Sequence, residues 1–240
     1  MRTVIVTGSS RGIGLAIARA FAMRGDTVIL NGQKDARQLD QAVKELSQAG
    51  HNVAGYLSDL SVHAAACELF SHIKATHGSV DVLVNNAGQA HYGLFAAMSP
   101  EEIQAVLNNN LLTTINASHQ AVPDMVRAKA GCIINISSIW GIMGASCEVV
   151  YSAVKAAVGG FTKALARELA PSNVRVNAIA CGAFETRMTD NLTPEEKAAF
   201  AEHIPLGRFG STHEVGDLAV FLADASYITG QIIPLDGGVV

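Results

Sequence analysis

The stretch Thr3-Val4-Ile5-Val6-Thr7-Gly8-Ser9-Ser10-Arg11-Gly12-Ile13-Gly14 decides the fold. Its first five residues are β-branched and read as a strand, and the glycines that follow lead into the amphipathic run Leu15–Arg24. Glycines between a strand and a helix permit a tight turn and a close backbone approach by a pyrophosphate, which then meets the positive end of the helix. The spacing is Gly-x3-Gly-x-Gly, not Gly-x-Gly-x-x-Gly. Its place between an apolar strand and a helix points to dinucleotide binding, although many glycine triplets are ordinary turns.

The same alternation continues along the chain. Further strands are expected at Thr27–Asn31, Asn52–Leu57, Asp81–Asn85, Cys132–Ser137, Val174–Ile179 and Gln231–Leu235. Helices are expected at Ala36–Ala49, Ala64–Thr76, Pro100–Met125 and Tyr151–Leu169. Strands alternating with helices predict an α/β protein, a doubly wound parallel sheet of seven strands with helices on both faces. Such sheets bind ligands beyond the carboxyl ends of their strands. No linker, repeat or low-complexity stretch divides the 240 residues, so residues 1–240 read as one domain.

Composition narrows the partners. Hydrophobic residues make up 49% and charged residues 16%, which fits a packed globular chain. A net charge of −4 without a basic block argues against nucleic acid and anionic membranes. The opening goes straight into a strand, with no signal peptide expected, and no apolar run reaches bilayer length. Four scattered cysteines without Cys-x-x-Cys read as reduced cytosolic thiols, and the eight histidines show no metal spacing.

The strand ends carry the chemistry. After the second strand come Asn31-Gly32-Gln33-Lys34, with no acid where an NAD site usually holds the ribose 2′-hydroxyl. Arg11 and Lys34 could neutralise a 2′-phosphate, which favours NADP(H), while nearby Asp35 argues the other way. Asp59, before Leu60, could accept a bond from an adenine amino group or could cap a helix. Asn85-Asn86-Ala87-Gly88 forms a small turn rich in amides, and Ser137-Ser138 puts hydroxyls at the fifth strand's end. Three asparagines, Asn108 to Asn110, interrupt a helix they disfavour.

Tyr151-Ser152-Ala153-Val154-Lys155 places a phenol and an ammonium one helical turn apart. An adjacent cation is expected to lower the tyrosine pKa from about 10 toward neutrality, so that it can trade a proton with a substrate oxygen.

Taken together, the Thr7–Gly14 loop, Asn85–Gly88, Asn110, Ser138, Tyr151-x-x-x-Lys155 and the tail Ile228-Thr229-Gly230-Gln231 … Asp236-Gly237-Gly238 resemble the short-chain dehydrogenase/reductase family over the whole length. Arg167–Pro171, Val174–Asn177 and Pro205–Gly210 are most similar to its 3-oxoacyl-acyl-carrier-protein reductase branch, and also occur in related alcohol and sugar dehydrogenases.

The resemblance implies a three-layer Rossmann fold, Asn110, Ser138, Tyr151 and Lys155 as catalytic residues, and a ketone/alcohol substrate carried on acyl carrier protein. It implies cofactor contacts from Gly8, Ser10, Arg11, Gly12, Ile13, Gly14, Asn31, Lys34, Asp59, Leu60, Asn86, Ala87, Gly88, Tyr151, Lys155, Gly182, Phe184 and Thr186. A cytoplasmic homotetramer is also implied. A sensor that binds a dinucleotide without catalysis would typically lack the Tyr or the Lys; this chain has both.

Two departures stand out. Cys181-Gly182 replaces the usual Pro-Gly, freeing φ and adding an N–H, and Phe221–Tyr227 is shorter than usual. Cys181 reads as a small packing residue or an exposed thiol, with packing favoured. His91, Trp140, Met143, Cys147, Phe184 and Thr189–His203 flank the expected cleft, with Trp140 and Met143 equally readable as core. Arg127 and Lys129 are the cations available to a carrier protein or simply to solvent.

Overall fold

The computed structural model describes residues 1–185 and 193–240. Seven strands, β1 (Thr3–Val6), β2 (Thr27–Gly32), β3 (Val53–Leu57), β4 (Val82–Asn85), β5 (Gly131–Ser138), β6 (Val174–Cys181) and β7 (Ile232–Leu235), form one sheet in the order β3-β2-β1-β4-β5-β6-β7. Every pairing is parallel. Consecutive strands therefore need crossovers, and the helices supply them.

The helices are α1 (Gly12–Met23), α2 (Ala36–Gln48), α3 (His63–His77), α4 (Pro100–Leu107), α5 (Thr113–Ala128), α6 (Trp140–Met143), α7 (Val149–Leu169), α8 (Pro194–Ala201) and α9 (Thr212–Asp224). Side-chain alternation along the strands builds two cores. Val4, Val6, Val28 and Leu30 face one layer with Ile17 and Phe21 of α1, Leu39 and Leu46 of α2, and Leu222 of α9. Ile5, Ile29, Leu83 and Ile133 face the other with Phe70 and Ile73 of α3, Met125 of α5 and Leu169 of α7. Because both faces are covered, the central strands read as unbroken apolar runs. Strand order reverses between β1, which leads to β2, and β4 on its other side, and there a crevice opens.

The predicted helix Pro100–Met125 is broken. α4 passes into a π-helical turn at Asn108–Leu112 before α5 begins. The Asn110 amide donates to Val106 O and Gln89 O, and the hydroxyls of Thr113 and Thr114 donate to Asn109 O and Asn110 O. Side chains thus take over carbonyls that a regular helix would use itself. Among the described residues no helix is long and apolar enough to cross a membrane.

Candidate active site

The glycine loop after β1 needs its glycines for different reasons. Gly8 has φ +61°, and a Cβ on it would stand 2.8 Å from Ala87 Cα. Gly12 has open space around it but φ +56°, in the left-handed region that disfavours other residues. A Cβ on Gly14 would sit 2.4 Å from Asn86 Nδ2 and 2.5 Å from Gly8 O. The β4 end locks the loop: Asn86 Nδ2 donates to Thr7 O and Gly8 O, and Thr7 Oγ1 accepts from the N–H groups of Asn86 and Ala87.

The first turn of α1 contains no acid, and its N-cap residue Arg11 makes no side-chain capping bond. The positive end of a 12-residue helix therefore opens onto a cleft of about 600 Å³. This shelf of amides and small residues fits a pyrophosphate, and the cleft runs on from it to Ser138, Tyr151 and Lys155. The donor set and the volume suit a nicotinamide dinucleotide.

Tyr151 and Lys155 lie one turn apart on α7, and Ser138 closes β5 opposite them. Lys155 is 5% exposed; its Nζ donates to Ile136 O at 3.0 Å and lies 5.5 Å from the Tyr151 ring centre. Ser138 Oγ accepts from the Trp140 N–H. Asn110 sits behind Gly88, where a Cβ would come 2.5 Å from Asn110 Oδ1 and 3.5 Å from Lys155 Nζ. All four residues expected to be catalytic are thus gathered around one point.

The expected electrostatics are reversed. Burial pushes the Tyr151 hydroxyl above its ordinary value of 10.0, and the Glu148 charge pushes it further, while a bond with Ser138 pulls the other way. Burial brings Lys155 down to about 8. The ammonium faces the ring and a carbonyl, so burial prevails and the tyrosine is a phenol, a proton donor. The helix spacing correctly makes the two residues neighbours but does not fix the sign.

Of the expected cofactor contacts, Gly8, Arg11, Gly12, Ile13, Gly14, Asn86, Gly88, Gly182 and Phe184 line the cleft with Tyr151 and Lys155. Others do not. Asn31 is 3% exposed, and its amide donates to Gly32 O, Tyr56 O and Ser58 O, so it ties strands together. Leu60 is buried in the second core. Ser10 donates to Gln38 on α2, and Ala87 packs under Gly8. Lys34 is exposed and does not line the cleft. Asp59 accepts from the N–H and hydroxyl of Ser61 in the turn before α3, whose N-cap is Val62, so it does not cap that helix as the alternative reading expects. Thr186 lies outside the described residues, as do Thr189–Leu192 of the expected substrate segment.

Trp140 and Phe184 line the cleft; His91, Met143 and Cys147 do not. Cys181 packs in the first core and forms part of the cleft wall, with burial pushing its thiol up to about 12. Sequence reasoning passes over Glu148, which also lines the cleft. Its one available signal is nearness in sequence, since it stands three residues before Tyr151, at the N-cap of α7.

The sequence model of the family described as Enoyl-(Acyl carrier protein) reductase matches residues 8–240. A 3-oxoacyl-[acyl-carrier-protein] reductase from Thermotoga maritima is 40% identical across 100% of this chain and 98% of its own. An uncharacterized oxidoreductase from Bacillus subtilis is 39% identical across 99% of this chain and 98% of its own. A solved gluconate 5-dehydrogenase from Burkholderia cenocepacia, in complex with NADP and tartrate, superposes with a TM-score of 0.93 at 28% identity, covering 99% of this chain and 94% of that one. With its all-parallel Rossmann sheet, its glycine loop and its Ser, Tyr and Lys around one cleft, the chain belongs to the short-chain dehydrogenase/reductase family.

Proposed function

We propose that this oxidoreductase uses NADP(H) to interconvert a ketone and a secondary alcohol, and that it reduces a 3-oxoacyl thioester carried on acyl carrier protein. The observation that carries the reading is the convergence of Ser138 and Tyr151 on one cleft that begins at the glycine loop. A bound nicotinamide supplies the hydride. Tyr151 donates its proton to the carbonyl oxygen as charge grows there, and the Ser138 hydroxyl donates a hydrogen bond to the same oxygen. Each such donor is worth on the order of 10²–10³ in rate. Lys155 holds the nicotinamide ribose, and Asn110, with Gly88 between it and Lys155, passes protons toward it through water.

The NADP(H) preference is supported at the end of β2. Asp35, the acid that could hold a ribose hydroxyl, accepts from Gln38 N–H at 3.0 Å as the cap of α2. Arg11 and Lys34 remain exposed for a 2′-phosphate. The 3-oxoacyl reading draws on relatives at about 40% identity. A second reading, a sugar or polyol dehydrogenase, draws on the solved gluconate dehydrogenases of similar fold. A cytoplasmic homotetramer completes the proposal and is open to light scattering.

The test is Tyr151→Phe. Dinucleotide affinity is expected to persist while ketone reduction falls by on the order of 10³-fold. Retained turnover refutes the role of Tyr151. A panel of 3-oxoacyl thioesters and sugar ketones with NADPH and NADH separates the two readings, and faster turnover with NADH refutes the coenzyme preference.

A further inference from the structure

Glu148 is a carboxylate held in the cleft with no use inside the fold. It occupies the N-cap of α7, yet its side chain makes no capping bond. It enters none of the salt bridges among the described residues. Glu148, just before α7, and Tyr151, in its first turn, line the same cleft. Burial pushes the carboxyl up, and its charge is felt at the Tyr151 hydroxyl.

Two other charged side chains line the cleft among the described residues, and neither offsets it there. Arg11 stands at the glycine loop, at the start of α1. The Lys155 ammonium is buried against Ile136 O, on the ring side of Tyr151. Among the described residues, the place where a substrate oxygen meets Tyr151 therefore has beside it one carboxylate that no salt bridge neutralises.

From this geometry we propose that Glu148 is a specificity-determining residue, one that rejects substrates carrying a carboxylate near the reacting carbonyl and admits neutral ketones. The proposal deepens the ketone-reductase reading and rests on it for the identity of the reacting group. A like charge held beside the reacting carbonyl in a half-buried site lowers affinity on the order of ten- to a hundred-fold. The surroundings of a 3-oxoacyl thioester carbonyl are uncharged, whereas a keto sugar acid brings its own carboxylate. One side chain would then separate the two substrate classes that the scaffold can otherwise serve.

Binding and turnover test this separately. Calorimetry with the NADP-saturated protein compares tartrate, a dianion, with tartramide, its uncharged counterpart, for the parent protein, Glu148→Gln and Glu148→Ala. Both variants are expected to raise the tartrate-to-tartramide affinity ratio by about tenfold or more. NADPH oxidation with acetoacetyl-N-acetylcysteamine and 5-ketogluconate should shift its kcat/KM ratio in the same direction. A residue that merely shapes the pocket would move both ligands together, so an unchanged ratio, or variants that still bind no tartrate, overturns the proposal. If the affinity ratio shifts but no ketone is reduced, the exclusion by Glu148 stands and the reductase reading falls.

Discussion

Replacing Lys155 by Met is expected to stabilise the protein at neutral pH. Burial lowers the lysine from 10.5 to about 8 in the folded chain. An unfolded lysine keeps its proton until roughly pH 10.5, so between the two values the unfolded state holds more protons and stability rises with pH. The stabilising effect of a neutral Lys155 is complete above the unfolded value and is lost as pH falls through about 8. At about 1.4 kcal/mol per pH unit, charging Lys155 at pH 7 costs the fold roughly 3 kcal/mol.

Methionine keeps the length and apolar volume but leaves Ile136 O without the 3.0 Å bond it accepts from Nζ. That loss offsets about 1–2 kcal/mol. The variant should therefore be about 1–2 kcal/mol more stable at pH 7, and about as much less stable near pH 10.5, where the lysine is neutral and the carbonyl contact still counts. Urea unfolding of both proteins at equal concentration under reducing conditions, from pH 7 to 10.5, measures the difference. A difference that stays constant across that range, or a variant less stable at pH 7, refutes the reasoning. A gain in stability coupled to a loss of reduction would mark Lys155 as a residue that costs stability and is kept for function.

Two further outcomes follow from burial and bonding. Asn110→Ala removes a side chain that donates to Val106 O and Gln89 O and accepts from the Gln89 N–H, so a loss of about 2–4 kcal/mol is expected by chemical denaturation, with faster amide exchange at Gln89; unchanged exchange there would contradict it. In the folded protein Cys67 and Cys147 should react with a disulfide reagent while Cys132 and Cys181 do not, since the latter pair is buried and pushed up to about 11 and about 12. Prompt labelling of Cys181 would contradict its burial.

The sheet is legible in the sequence because strands covered on both faces cannot hide: Val4-Ile5-Val6 and Val28-Ile29-Leu30 have no polar face to blur the pattern. The catalytic residues are legible because their types and spacings recur together. Strand-end polar residues are harder. Asn31 and Asn86 both stand at strand ends and both donate to backbone carbonyls, Asn31 to Gly32, Tyr56 and Ser58 and Asn86 to Thr7 and Gly8, yet only Asn86 also lines the cleft. A side chain that binds a ligand and one that binds the protein's own backbone are the same letter, and only the fold brings the carbonyls of Tyr56 and Ser58 to Asn31. The direction of the Tyr151 shift depends on how much water reaches the phenol and where Nζ points, which spacing does not encode. Glu148 escapes notice because a carboxylate at a helix N-terminus is usually a cap.

One feature of the interior explains how the site keeps its geometry. On β5, Asn135 and Ser137 are two apart and share a face; on α7, Lys155 and Thr162 are seven apart and share a face. Ser137 Oγ donates to Lys155 O at 3.0 Å, and Asn135 Nδ2 donates to Thr162 Oγ1 at 2.8 Å. The helix is thus fastened to the strand at two points two turns apart. Asn85 extends the chain from β4, donating to Asn135 Oδ1 and to Ser118 of α5, while its own Oδ1 has no partner among the described residues. Burying these amides costs desolvation, and an orphaned acceptor costs more, so leucines and valines would make a more stable contact. Apolar surfaces, however, tolerate a slide or a small rotation, whereas paired donors and acceptors do not. A helix rotated by one residue would turn Tyr151 away from Ser138, and the buried amides hold α7 in the one setting where both reach the same substrate oxygen.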